Sequence, residues 1–133
     1  MEKKLVKFNA VNTTLWLLQA LLASTFLWGA YVKLFMPTEE LARMWPWTAE
    51  NAVLVKIAGV ADTLAGIGII IPRLLRIRPV LTLYACYGIL SLMLAAIIFH
   101  VSRGEVAQLG INAAVTLMAG VAIILWKYLM KGR

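Results

Sequence analysis

Four long apolar runs, joined by short polar or proline-bearing links, take up nearly the whole chain. Each is close to the roughly 20 residues that cross a bilayer as a helix. The first covers about 13–34 and stops short of Pro37, because the residue before a proline disfavours helix. The second covers about 52–71 and stops at Pro72, the third about 80–101 after Pro79, and the fourth about 108–126. The links at 72–79 and 102–107 are short, so successive helices are expected as antiparallel neighbours. The pattern predicts an all-α fold, an integral membrane four-helix bundle forming one domain over 1–133.

The connector at 37–51 differs in character, holding Glu39, Glu40, Arg43 and Glu50 around Trp45-Pro46-Trp47. Thr38 followed by 39–44 reads as a short capped helix at the membrane interface. Trp45 and Trp47 suit the headgroup level and are expected as interface anchors, with the connector lying as a lid over the bundle.

Composition strengthens this picture. Hydrophobic residues make up 62% of the chain and the mean hydropathy is +0.86, beyond the roughly half apolar content of a soluble domain. The net charge of +7 would suit nucleic acid, but the basic residues fall in short clusters between apolar runs. That distribution reports topology, and no nucleic-acid partner is expected. Lys3, Lys4, Lys7, Arg73, Arg76, Arg78, Lys127, Lys131 and Arg133 fall on one side; Lys33, Arg43, Lys56 and Arg103 fall on the other. The richer side is expected in the cytoplasm with both termini, in an inner-membrane protein whose first partner is the lipid bilayer. The first apolar run, from Leu15 through Leu34, is too long for a signal-peptide core and is read as an uncleaved first helix. The single cysteine, Cys86, excludes dithiol exchange within the chain.

Asp62 falls near the centre of the second run, where a carboxylate costs about 2.5–3.5 kcal/mol on insertion scales. It must face the interior and find partners, or be protonated. Ala58, Gly59, Ala65 and Gly66 around it allow another helix to approach closely. Steps of four residues pick out further inward stripes: Thr25, Gly29 and Lys33; Tyr84, Gly88, Leu92, Ala96 and His100; Asn112, Thr116 and Gly120. Depth places Lys33, Lys56 and His100 near the outer ends, Asp62 and Thr116 near the midplane, and Asn112 between them. Lys33 reaches Asp62 only if its stem turns inward. Lys56 is about 120° around the helix from Asp62 and is the poorer partner.

The expected binding constellation is therefore a polar column of Lys33, Asp62, His100, Asn112 and Thr116, with Lys33 and His100 at its mouth and Asp62 at its floor. Plainer readings stand beside it. Lys33 and Lys56 can snorkel to headgroups, His100 can be an interfacial histidine, and Asp62 can be a structural anchor. Tyr84, Cys86, Tyr87 and the methionines read as packing. No phosphate loop, metal-ligand spacing or nucleophile motif is present, so neither a catalytic residue nor a metal site is assigned.

Leu27-Trp28-Gly29-Ala30-Tyr31-Val32-Lys33-Leu34 closes the first helix, and 57–68 reads Ile-Ala-Gly-Val-Ala-Asp-Thr-Leu-Ala-Gly-Ile-Gly before Ile71-Pro72. Arg78-Pro79 opens the third helix, and Phe99-His100 with Arg103-Gly104-Glu105 closes it. In order and spacing these resemble the DoxX-like membrane proteins, over nearly all the chain after the first dozen residues. That family commonly has a glutamate where Asp62 stands. The resemblance implies a small four-helix inner-membrane bundle; some relatives are linked to membrane oxidoreductases, sulfur oxidation or the quinone pool, and others resemble assembly factors.

The leading expectation is an accessory subunit of a membrane redox system, with oxidoreductase subunits as partners and a quinone-like or other small amphipathic molecule in the column. Lys33 and His100 would donate to a carbonyl oxygen, and Asp62 would accept or relay a proton. The alternative is an assembly factor or scaffold docking other membrane segments through its small-residue faces and connector. Passive transport is a third reading; it requires a homo-oligomer, because four short helices enclose little lumen.

Overall fold

A computed structural model describes residues 1–132. It contains five α-helices: α1 (Glu2–Phe35), α2 (Thr38–Met44), α3 (Ala52–Leu74), α4 (Val80–Ser102) and α5 (Leu109–Lys131). Short 3-10 turns at Pro46–Thr48 and Val106–Gln108 precede α3 and α5, and no strand occurs among the described residues. The four long helices are apolar enough to cross a membrane. Contacts run α1 to α3, α3 to α4, α4 to α5, and α5 back to α1.

The buried positions show why these helices associate. In α1 they include Leu15, Gln19, Leu22, Phe26 and Gly29; in α3, Val55, Gly59, Asp62, Gly66 and Ile69. In α5 they include Asn112, Val115, Ala119, Ala122, Trp126 and Leu129. Steps of three and four alternate, a period of about 3.5 residues that keeps one seam facing its neighbours. In α4 the seam is Thr82, Cys86, Ile89, Met93 and His100. The outward faces carry Leu, Ile, Val and aromatic side chains, among them Leu17, Leu21, Ile57, Leu64, Leu94 and Leu117. This is the inverse of a soluble helix and suits lipid.

The α1–α3 contact is the most extensive among the described helices, and glycine brings the two close. A Cβ on Gly59 would stand 2.8 Å from Leu34 Cγ, and one on Gly66 would stand 2.7 Å from Leu27 Cγ. The two glycines lie one heptad apart with Asp62 between them. Gly59 and Gly66 thus receive α1 on either side of Asp62.

Several boundaries differ from the sequence expectation, and α5 runs to Lys131 rather than about 126. α1 begins at Glu2 rather than near residue 13 and has 34 residues, about 51 Å. Lys3, Lys4 and Lys7 break the apolar run there, but Phe8 and Val11 pack against the core, and Phe8 comes close to Gly132 at the end of α5. α3 continues through Pro72 to Leu74. A proline so near a helix end disrupts little of the following ladder, and the next amides find carbonyls: Leu75 N–H donates to Ile71 (2.9 Å) and Ile77 N–H to Pro72 (2.8 Å). In α2, Pro37 rather than Thr38 is the N-cap, with no side-chain cap.

The connector has a small core of its own. Leu41 and Trp47 are buried with Val32 of α1 and Val55 of α3, and Met36, Trp45 and Phe99 pack around them. Thr48 Oγ1 donates to the Trp45 carbonyl at 2.8 Å and Asn51 Nδ2 to the Trp47 carbonyl at 2.7 Å, fixing the turn that carries both tryptophans.

Candidate functional site

Beneath the connector lies a cavity of about 410 Å³, lined by residues of α1, α3, α4 and α5 and by Trp45 and Trp47. Most of its wall is apolar or aromatic, including Phe26, Trp28, Ile57, Leu92 and Phe99; its polar groups are Thr25, Lys33, Asp62, His100, Gln108 and Asn112. Four of the five residues expected in the polar column, Lys33, Asp62, His100 and Asn112, therefore border one space.

Lys33 and Asp62 form a direct ion pair, with the ammonium donating to Asp62 Oδ2. The pair needs no bridging water, because the lysine stem turns inward past Gly29. A Cβ at Gly29 would stand 3.3 Å from Asp62 Oδ2. The Lys33 ammonium also lies 5.4 Å from the Trp45 ring centroid, a cation–π distance. Asp62 is 5% exposed, so its charge is balanced by Lys33 rather than by solvent.

His100 is buried beside Trp47 and Phe99, with ring centroids at 6.0 and 5.2 Å. Its Nδ1 lies 3.4 Å from Glu105 Oε2, close enough for charge interaction but outside hydrogen-bond alignment. Glu105 accepts a hydrogen bond from Arg103 Nε. That guanidinium holds the Glu105 carboxyl below the usual carboxylate range, and His100 acts in the same direction. Asn112 is 9% exposed, and its Nδ2 has no hydrogen-bond partner among the described residues.

Thr116 stands apart from the other four. It is half-buried, its hydroxyl donates back to the Asn112 carbonyl at 2.7 Å, and it is absent from the cavity wall. Tyr84 and Gly88, expected on the inward stripe of the third span, are exposed, whereas Leu92, Ala96 and His100 line the cavity. Steps of four residues advance about 40° beyond a full turn, so a stripe drawn that way from His100 has rotated by about 160° at Tyr84. Trp45 and Trp47, expected as headgroup anchors, turn inward and roof the cavity; Trp47 is buried and Trp45 half-buried. Lys56 donates to the Leu34 carbonyl at 2.8 Å and the Lys33 carbonyl at 3.3 Å, placing a cation at the carbonyl end of α1.

Residues 17–122 match the family model described as the DoxX-like family, which takes in every residue that lines the cavity. The chain belongs to the DoxX-like family. With four long apolar helices, this DoxX-like protein is a multi-pass membrane protein. No curated protein and no solved structure matches the chain.

A second polar cluster in the DoxX-like chain escaped the sequence reading. Arg73, taken for a loop charge, donates from Nη1 to Gln19 Oε1 and from Nη2 to Asn12 Oδ1. Its guanidinium lies between Trp16 and Trp126, 4.2 and 5.2 Å from the ring centroids. Gln19 Nε2 in turn donates to the Ile69 carbonyl at 2.6 Å, one turn before Pro72. The signal was present in α1, where Asn12, Trp16 and Gln19 follow one another at steps of four and three.

Proposed function

We propose that this protein is an accessory subunit of a membrane redox or quinone-linked system, and that the cavity beneath the connector holds a small amphipathic molecule bearing a carbonyl oxygen. In this reading it is a four-helix bundle of the inner membrane with both termini on the cytoplasmic side, and oxidoreductase subunits are its partners. The Asn112 amide carries the ligand assignment. A buried donor left without a partner costs about 1–3 kcal/mol, and a ligand carbonyl in the cavity relieves that cost. The volume is within the roughly 300–1,000 Å³ of small-molecule sites, and an apolar, aromatic wall with a few polar groups is the usual composition of such sites. Lys33, steadied by Asp62, supplies a second donor, and His100 a third polar contact. Asp62, with its charge already met by Lys33, positions that lysine and is the group through which a proton would pass.

Decylubiquinone titrated into protein in nanodiscs is the direct test, read by quenching of the tryptophans at the cavity. Saturable quenching is expected for the wild type, with affinity about tenfold weaker in Asn112→Leu, the loss of one good hydrogen bond. Equal affinity in the two proteins, both folded, would sink the reading. A scaffold that docks other membrane segments through the connector draws less support, because Trp45 and Trp47 are committed to the cavity roof.

A further inference from the structure

α3 and α4 touch in the half nearer the link between them, where a Cβ on Gly68 would stand 3.2 Å from Ala85 Cβ. Steps of seven and eleven residues along a helix return within about 20° of the same face. Ile57 and Ala61 therefore share the Gly68 face of α3, and Leu92 and Ala96 share the Ala85 face of α4. Continued packing would bury these positions between the two helices. Instead all four border the cavity beneath the connector, and Ile57 is 60% exposed. Leu54, about one turn before Ile57, and Ala95, beside Ala96, are exposed members of the same wall. The two helices thus part toward the connector, and the cavity reaches the outside of the bundle between them.

The other sides are better covered. Trp45 and Trp47 roof the cavity at the end of the bundle, with Trp47 buried on Val32, Leu41 and Val55. On the α1 and α5 walls the exposed members are large, Trp28 and Ile111, and the Trp28 ring stands edge-on to Trp45 with centroids 5.8 Å apart. Ala61 adjoins Asp62 at the middle of α3, so the α3–α4 gap lies at the depth of the hydrocarbon. Resting on the reading that the cavity holds a small amphipathic molecule, we propose that this ligand enters sideways from the bilayer through the α3–α4 gap. It is then a membrane-borne molecule whose apolar chain stays between Ala61 and Ala95 while its polar head reaches Lys33. Hydrocarbon outside and apolar side chains along the gap let such a chain pass without meeting water.

The test titrates decylubiquinone and dimethoxymethylbenzoquinone, the same ring without the chain, into the full chain in nanodiscs. Tryptophan quenching is the readout, with quinone concentrations expressed per lipid. The wild type is expected to bind the chain-bearing quinone more tightly. Ala95→Phe, at the exposed rim of the gap, is expected to weaken decylubiquinone about tenfold and the chainless quinone by less than about twofold, the difference made by burying roughly two fewer methylenes. Ala61→Phe, deeper in the gap, should act in the same way; Ala95→Phe carries the test should Ala61→Phe not fold. Equal losses for the two quinones, unchanged decylubiquinone affinity in the folded variants, or a wild type that holds both quinones equally well overturns side entry and leaves the ligand reading standing. Absence of saturable quenching by either quinone in the wild type removes the ligand reading and side entry with it.

Discussion

The Lys33 ammonium meets the Asp62 carboxylate across the α1–α3 contact, one helical turn past Gly29, whose missing side chain leaves the carboxylate its room. Neither charge reaches water freely, so each depends on the other for its stability in the interior.

Removing one partner should therefore cost more than removing both. Lys33→Met is expected to destabilise by about 3–5 kcal/mol, the penalty of a stranded buried charge, and Lys33→Met with Asp62→Leu by clearly less. Thermal unfolding of the two single variants and the double variant in one detergent gives the comparison. Additive losses would show that the two side chains act separately.

Glycines in the chain should divide by what a methyl group meets. Gly66→Ala drives a carbon into Leu27 and is expected to cost about 1–3 kcal/mol, the range for overpacking. Gly88 and Gly120 face open space, so alanine there should leave the unfolding midpoint unchanged or raise it.

Gln19 of α1 bonds α3 at two points, the Ile69 carbonyl and the Arg73 guanidinium. Gln19→Leu leaves both short of a partner and should cost about 1–3 kcal/mol. Thr116→Val removes only a bond within α5 and should alter neither stability by more than about 0.5 kcal/mol nor decylubiquinone affinity. Reversal of that order would mean that Thr116 acts in the cavity.

The α4–α5 link should loosen in acid. The Glu105 carboxyl is held below its ordinary range by Arg103, so its stabilising contribution is fully present above the unfolded value and lost as pH falls through the folded one. Faster amide exchange in 103–108, corrected for intrinsic pH dependence, is expected as pH drops below about 4.3. Glu105→Gln should show the loosened link at every pH.

The spans were readable because charge is so costly in an apolar run, and the same cost of polar groups in hydrocarbon turns Lys33, Asp62, His100 and Asn112, though not Thr116, toward one space. Their side-by-side arrangement was harder to read, because a fixed step of four drifts off the seam. A step alternating three and four retains His100 and Asn112, discards Tyr84 and Thr116, and adds Gln19 to Asp62 as a buried polar position. Arg73 was missed for another reason. Its position after Pro72 marks a helix end, and its Asn12, Trp16, Gln19 and Trp126 neighbours, distant in sequence, show that it turns inward. The N-terminal part of α1 was hidden by its lysines, since the contacts that hold it are with the other end of the chain.

Gln19 with Arg73 and Lys33 with Asp62 join the same two helices at points 14 residues apart along α1 and 11 apart along α3. An apolar heptad seam alone would tolerate a slip of seven residues, since one leucine layer resembles the next. Such a slip would place Asp62 opposite Phe26 and leave both ionic partners facing hydrocarbon. The two polar ties thus act like the notches of a key, admitting a single alignment of α1 on α3 during assembly in a solvent that offers no help in choosing between sliding positions.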